Sequence, residues 1–157
     1  MSTQQEDKLY LQRAVDLARE NVKRGGQPFG AVLVHQGKVL ADGVNESYID
    51  FDLTAHAEIQ ALRNAAHEYR RMQFQGATMY ASGKPCVMCS AAMIHAGIAR
   101  VVYAAGDDMG DPFGWGTQVG YQQLQAEFGA QGYTADYVPM PEKSEIYLAW
   151  KNKHESS

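Results

Sequence analysis

The chain has 157 residues, of which 45% are hydrophobic and 20% charged. This composition is typical of one folded globular domain and excludes a disordered or fibrous protein. Its 14 Lys and Arg against 18 Asp and Glu give a net charge of −4, and no basic cluster exceeds the pairs Lys23-Arg24 and Arg70-Arg71. We therefore expect one domain over residues 1–157, with nucleic acid an unlikely main partner.

The pattern of the chain predicts a series of alternating helices and strands. Apolar residues at helical spacing predict a first helix that ends at Gly25-Gly26. There follow, in chain order, a hairpin with strands at 31–34 and 39–41, a helix capped by Thr54, a strand at 77–81, a helix at 85–95 opened by Pro85 and a strand at 101–105. This alternation predicts an α/β sandwich with crossover connections.

The last third of the chain has weaker signals. Residues 106–120 contain five glycines and a proline, so we expect a loop there. A weak helix at 122–128, a strand at 133–138 and a closing helix at 142–151 are predicted to follow.

The location of the protein is predicted from what the sequence lacks. Its first seven residues have neither the basic start nor the apolar stretch of a signal peptide, and no apolar run approaches the ~18 residues that span a bilayer. We expect a cytoplasmic protein without membrane contact. Its two cysteines, Cys86 and Cys89, are three positions apart, which suits a metal or redox site better than a disulfide.

Two short motifs concentrate the residues that can carry chemistry: His56-Ala57-Glu58 and Pro85-Cys86-Val87-Met88-Cys89. One His and two Cys are three of the four ligands of tetrahedral zinc, and a catalytic site leaves the fourth position to water. On the first turn of a helix the two sulfurs lie on one side, where free N–H groups favour thiolates.

The spacing of the first motif constrains the geometry of such a site. His56 and Glu58 are two positions apart, so they cannot share a lateral face of a helix. Both serve one metal only if it lies beyond the N-terminal end of their helix. We therefore predict that the two helices opened by these motifs meet with their N-terminal ends at the metal. Zinc would lower the pKa of its water to about 7, and Glu58 would act as the proton shuttle.

Other interpretations of the same residues remain. The Cys-x-x-Cys pair alone also suits a thioredoxin-like redox site. A non-catalytic zinc-stabilised binding module would leave Glu58 incidental, although it predicts a fourth Cys or His ligand that is not obvious. The remaining histidines are expected at the surface or in the core: His35, His67, His95 and His154.

The motifs Thr54-Ala55-His56-Ala57-Glu58 and Pro85-Cys86-Val87-Met88-Cys89 resemble the cytidine and nucleobase deaminase superfamily. The resemblance implies a three-layer α/β/α sandwich with a five-stranded mixed sheet, as one deaminase domain over residues 1–157. It also implies one zinc ion and one catalytic water per active site, and hydrolytic release of a ring amino group as ammonia.

Within that superfamily, residues 26–34 are similar to the bacterial guanine deaminases, which are commonly intertwined dimers. The resemblance implies a homodimer that acts on guanine or a related purine-like nucleobase or nucleoside. It implies substrate contacts from Phe29, Asn45, Ala57 and Glu142, with Phe113 or Trp115 as further stacking partners. Core packing for Phe29 and helix capping for Glu142 are open alternatives.

Two features differ from the guanine enzymes. Trp115-Gly116-Thr117 stands where those enzymes place an acidic residue, and the end of the chain lacks their C-terminal tyrosine. Asp107, Asp108 and Asp111 are candidates for the acidic role.

A second resemblance gives the alternative function. The segments at 85–89, 92–95 and 100–102 are similar to tRNA adenosine deaminases, which implies conversion of adenosine to inosine in tRNA. Such enzymes must neutralise phosphates to hold their substrate. The acidic net charge and the absence of a basic C-terminal helix favour a free base or nucleoside instead.

Overall fold

A computed structural model describes residues 1–142 and 144–155. They form two compact units, Met1–Gln122 and Gln123–Ser157. The helices are α1 (Thr3–Lys23), α2 (Ser47–Asp50), α3 (Ala57–Tyr69), α4 (Val87–His95), α5 (Asp107–Gly110), α6 (Gln118–Leu124) and α7 (Glu145–Glu155), with a 3-10 turn at Asp111–Phe113. The strands are β1 (Gly30–His35), β2 (Lys38–Val44), β3 (Thr78–Gly83) and β4 (Arg100–Ala105). A single deaminase domain over the whole chain stays a prediction.

The strands form one mixed sheet in the order β2-β1-β3-β4. β1 pairs antiparallel with β2, as the predicted hairpin requires, and antiparallel with β3 on its other side. β3 and β4 are parallel, and α4 lies between them in the chain as the crossover that a parallel pair needs. The predicted α/β fold with a mixed sheet is confirmed.

The expectation of five strands is wrong for the described residues, which form four. Residues 133–138, predicted as a strand, have no strand pairing, and all of them are exposed. A strand is stable when its backbone pairs with a neighbour and one of its faces is buried. Neither condition holds for this segment, so its apolar residues do not form a strand.

Helices pack on both faces of the sheet because successive strand residues point to opposite sides. Val32 and Val34 of β1 face α1, where they pack with Ala14 and Tyr80. The alternate residues belong to a larger cluster with α3 and α4, which contains Ala31, Leu33, Met79, Cys89 and Met93. This second layer carries both chemical motifs.

At Gly43 of β2 the backbone of the sheet lies close to the backbone of α3. A Cβ at this position would overlap the carbonyl oxygen of Ala57 and the backbone nitrogen of Ala61. Because backbone atoms cannot move aside as a flexible side chain can, we expect Gly43→Ala to destabilise the protein by about 1–3 kcal/mol. Urea denaturation measures this change. Lys38→Arg at the exposed start of the same strand is the control, and equal midpoints for the two variants would contradict the prediction.

The helices in the last part of the chain differ in position from the sequence prediction. α6 begins at Gln118, four residues earlier than expected, and α7 begins at Glu145, three residues later. The Gln123–Ser157 unit exposes many apolar side chains, among them Phe128, Tyr137, Val138 and Trp150. None of the described helices is both long enough and apolar enough to cross a membrane.

Candidate active site

The two motifs lie at the N-terminal ends of α3 and α4. His56 is the N-cap of α3 and Cys86 is the N-cap of α4, both with extended backbone, and neither side chain makes a capping hydrogen bond to its helix. Cys89 follows in the first turn of α4. The side chains are therefore free to point away from the helix ends toward a shared ligand.

The predicted caps are wrong in detail. The hydroxyl of Thr54 donates to Asp52 Oδ1 at 2.7 Å and accepts a hydrogen bond from Arg63 Nη2 at 3.0 Å. Pro85 lies just before α4 and not in its first turn. These residues shape the segments that lead into the helices, so the two ligand-bearing positions become the N-caps themselves.

The three predicted metal ligands are close together. His56 Nδ1 lies 3.5 Å from Cys86 Sγ and 3.6 Å from Cys89 Sγ, and the two sulfurs are 3.7 Å apart. Ligands bound to zinc at about 2.0 to 2.3 Å in a tetrahedron are separated by about 3.4 to 3.8 Å. The donor types and their spacing therefore fit a tetrahedral zinc ion with one position left open. Among the described residues this is also the one group of three or more potential metal ligands.

The charge state of the two sulfurs also fits a bound zinc ion. A hydrogen bond from the Cys89 thiol and the nearby His56 ring lower the pKa of Cys86 to about 4, against the opposing effect of burial. The Cys86 sulfur, and then burial, raise the pKa of the Cys89 thiol. One thiolate thus forms readily, whereas the second needs a cation between the sulfurs, which zinc supplies.

Glu58 is in the first turn of α3, only 6% exposed, and contributes to the wall of a cavity beside the ligands. Burial raises the pKa of its carboxyl group, and this effect exceeds the opposing hydrogen bonds. A buried carboxyl whose protonated and ionised forms are closer in energy is suited to taking up and returning protons.

The cavity in front of the ligands has a volume of about 580 Å³, within the range of small-molecule sites. The described residues that line it include six expected from the sequence: Phe29, Asn45, His56, Ala57, Glu58 and Cys86. Trp115, a proposed stacking residue, also lines the cavity. Cys89 is fully buried behind this surface.

Further lining residues were not expected from the sequence: Gln27, Ser47, Tyr48, Phe51, Leu53, Lys84 and Thr117. Tyr48, Phe51 and Leu53 come from the segment between β2 and α3 and form an exposed apolar rim. No motif marks this segment, and its only signal is its place directly before the His-Ala-Glu motif.

Asn45 is 3% exposed and held firmly in position. Its backbone N–H donates to the Phe29 carbonyl at 3.1 Å, and its own carbonyl accepts from Asn21 Nδ2 at 2.8 Å. Its side-chain oxygen accepts from the Ser47 N–H at 3.1 Å. Because the oxygen is occupied, the amide NH₂ is the end suited to contact a ligand.

Two of the three aromatic residues, Phe29 and Trp115, line both this cavity and a smaller neighbouring one. The Trp115 ring contacts Phe29 edge-on, with centroids 5.3 Å apart, and stacks on Phe113 at 5.6 Å. Phe113 lines a neighbouring cavity of about 180 Å³ and not the larger one. Phe29 also packs against the core, so both interpretations of this residue have support.

The remaining predicted residues lie elsewhere. Glu142 is exposed in the Gln123–Ser157 unit, and its contact with substrate stays a prediction. The other four histidines are outside the ligand group, and three of them, His67, His95 and His154, are exposed.

Residues 4–105 match the family model for the cytidine and deoxycytidylate deaminase zinc-binding region. The chain therefore belongs to this family of zinc-dependent deaminases, hydrolases that act on cyclic amidines. It is 34% identical over 144 residues to the guanine deaminase of Bacillus subtilis. This alignment covers 91% of this chain and 92% of that protein.

Other comparisons extend this result. The X-ray structure of guanine deaminase from Bacillus subtilis superposes with a TM-score of 0.84 at 33% identity, covering 97% of this chain and 95% of that chain. The tRNA-specific adenosine deaminase of Buchnera aphidicola subsp. Baizongia pistaciae is 40% identical over 99 residues. That match covers 63% of this chain and 61% of the relative.

Proposed function

We propose that the protein removes the amino group of guanine, or of a closely related purine-like base or nucleoside, by zinc-dependent hydrolysis. The observation that carries the proposal is the convergence of His56, Cys86, Cys89 and Glu58 at one cavity large enough for a purine. The likeness to guanine deaminase over nine tenths of the chain supports the choice of base.

His56, Cys86 and Cys89 would hold the zinc ion. Bound zinc supplies a Lewis acid that brings the pKa of its water near 7. The Glu58 carboxylate accepts a proton from the attacking water and gives it to a ring nitrogen; it then accepts the remaining proton of the added hydroxyl group and passes it to the departing amine. A carbon–oxygen bond replaces the carbon–nitrogen bond, so one water is consumed and one ammonia is released.

The cavity walls would hold the base in place. Phe29 and Trp115 offer aromatic surfaces to a flat ring, and the Asn45 amide NH₂, whose oxygen partner accepts from Ser47, would donate to a ring acceptor. Ala57 closes the wall next to Glu58. Glu142 as a further acceptor for the N–H edge of guanine belongs to the same proposal.

We also propose that the protein is a homodimer. Its Gln123–Ser157 unit exposes apolar side chains such as Phe128, Tyr137 and Trp150, each more than half exposed. A surface of this kind is typical of a region that another protein covers. A cytoplasmic location is a further prediction, drawn from the sequence.

Deamination of adenosine in tRNA is the second candidate function. It is favoured by the 40% identity to the Buchnera enzyme. That match leaves more than a third of this chain unaligned, and the net charge of −4 opposes the binding of a polyanion.

A screen of ammonia release decides between the candidates. We expect the highest kcat/KM with guanine or guanosine, at least about 100-fold above adenine and cytosine, because a buried polar group left unpaired by the wrong base costs about 1–3 kcal/mol or more. Pterins and other amino-substituted heterocycles complete the panel. Deamination of a tRNA anticodon stem-loop alone would overturn the proposal.

A further inference from the structure

The segment between β4 and α6 forms one wall of the cavity. Gly114, Trp115, Gly116 and Thr117 all line it. Trp115 is the largest of them and rests edge-on against Phe29, which lines the same cavity. The position of this segment therefore decides how much aromatic surface a bound ring meets.

Asp107 closes the base of this segment. Its Oδ1 accepts hydrogen bonds from the Thr117 N–H at 2.8 Å and from the Thr117 hydroxyl at 2.9 Å. Its Oδ2 lies 2.7 Å from Lys84 Nζ in an ion pair in which the Asp107 side chain is 19% exposed. Both carboxylate oxygens are thus engaged, and the two ends of the segment are tied to each other and to the residue after β3.

The partners of Asp107 are themselves held. The Lys84 N–H donates to the Ala105 carbonyl at 2.8 Å, and its ammonium group lies 5.4 Å from the centre of the Tyr121 ring. Thr117 is only 8% exposed. The hydrogen bonds and the ion pair of Asp107 and Lys84 therefore connect the ends of β3 and β4 to the start of α6.

Inside the segment, short-range contacts fix the turn that carries Trp115. The Trp115 N–H donates to the Gly110 carbonyl at 3.0 Å, and the Gly114 N–H donates to the Asp111 carbonyl at 3.0 Å. A Cβ at Gly116 would overlap the Asp111 carboxylate. The segment thus behaves as one preformed loop whose placement depends on its closure at Asp107.

We propose that Asp107 is a positioning residue for substrate binding: through Thr117 and Lys84 it holds the Trp115 wall against Phe29 to receive a flat heteroaromatic ring. The inference rests on the proposed function, because the wall belongs to the proposed substrate cavity. It also removes Asp107 as a carboxylate that recognises the base, since its oxygens already accept three hydrogen bonds. Glu58 is then the one carboxylate among the described residues that line the cavity.

Asp107→Asn tests the positioning role with little change in shape. The amide oxygen can still accept from Thr117, but the amide NH₂ then faces the Lys84 ammonium group, and two donors cannot pair. The nine residues between Asp107 and Thr117 gain conformational freedom, which a substrate must remove on binding. We expect KM for guanine to rise about 10-fold or more, with kcat within about threefold and zinc content unchanged.

Asp108→Asn is the matched control, because it makes the same change in charge at a neighbouring position that is exposed and does not line the cavity, so that Asp108 is also removed as a candidate for the acidic role. The two variants are expected to differ clearly in KM. A KM for Asp107→Asn within twofold of the Asp108→Asn value would overturn the inference. Thr117→Val, which removes only the hydroxyl donor, is the second variant and keeps the test open should Asp107→Asn not fold.

A measurement without substrate separates this inference from the proposed function. The chain has two tryptophans, so Trp150→Phe leaves Trp115 as the one indole fluorophore. In that background we expect Asp107→Asn, and not Asp108→Asn, to increase acrylamide quenching of Trp115 about twofold. Unchanged quenching in Asp107→Asn would contradict the positioning role. If the expected difference in quenching between the two variants is found but the protein deaminates none of the tested rings, only the proposed function is contradicted.

Discussion

Replacement of Glu58 by glutamine is expected to slow ammonia release by at least about 1000-fold while the protein keeps its zinc. Glutamine preserves the shape of the side chain but cannot take up and return a proton. General acid–base catalysis contributes about 10²- to 10⁴-fold, and Glu58 is proposed to serve more than one proton transfer in each turnover. Its place in the first turn of α3, where it is almost fully buried, leaves few other routes for these protons.

The control for this variant is Glu68→Gln, which makes the same change on the exposed face of the same helix. It should retain the wild-type kcat and zinc content. Steady-state kinetics and metal analysis of both variants are the measurements. Near wild-type activity in Glu58→Gln would exclude the proton-shuttle role, whereas a zinc-loaded wild-type protein that deaminates no tested ring would favour the non-catalytic binding module.

Removal of a metal ligand is expected to abolish zinc binding and activity together. Cys86→Ala and His56→Ala each remove one of the three protein ligands and leave two at the site where the N-terminal ends of the two helices meet. We expect zinc to fall from about one ion per chain to below about 0.1 after dialysis, because a site of two ligands loses much of its coordination energy. Metal analysis and ammonia release from the same samples measure both effects.

His67→Ala is the matched control for the histidine variant, since His67 is exposed near the other end of α3. It should keep both zinc and activity. A chelated wild-type protein should lose activity and regain it with added zinc. Activity in a zinc-free ligand variant would overturn the proposed site, and two freely titratable thiols in the purified wild-type protein would favour the redox interpretation.

Much of the fold near the motifs could be predicted from local patterns. The hairpin of β1 and β2 follows from two apolar runs around a short turn, and α1 follows from helical spacing that ends at Gly25-Gly26. The error at Thr54 arose because a good capping residue was available two positions before the actual cap. A hydrogen bond to Asp52 holds the Thr54 hydroxyl there, and this competing contact is visible only in the structure.

The last part of the chain was predicted less well, for a different reason. Residues 133–138 have the aromatic and branched side chains typical of strands, yet the described structure gives them no paired neighbour. β-propensity reflects packing and pairing more than an intrinsic backbone preference. A local pattern therefore cannot decide whether such a segment forms a strand.

The sequence by itself predicted the zinc ligands and a candidate proton shuttle, because few residue types bind zinc or move protons and their spacing limits the geometry. His56, Cys86, Cys89 and Glu58 were all identified in this way, as was the meeting of two helix ends. Only the tertiary structure decided how the wall of the cavity that carries Trp115 is held in place. Lys84, Asp107 and Thr117 are separated in the chain, and nothing in their local sequence marks a shared role. Their contacts exist because packing brings the ends of β3 and β4 to the start of α6, and such contacts depend on the fold as a whole.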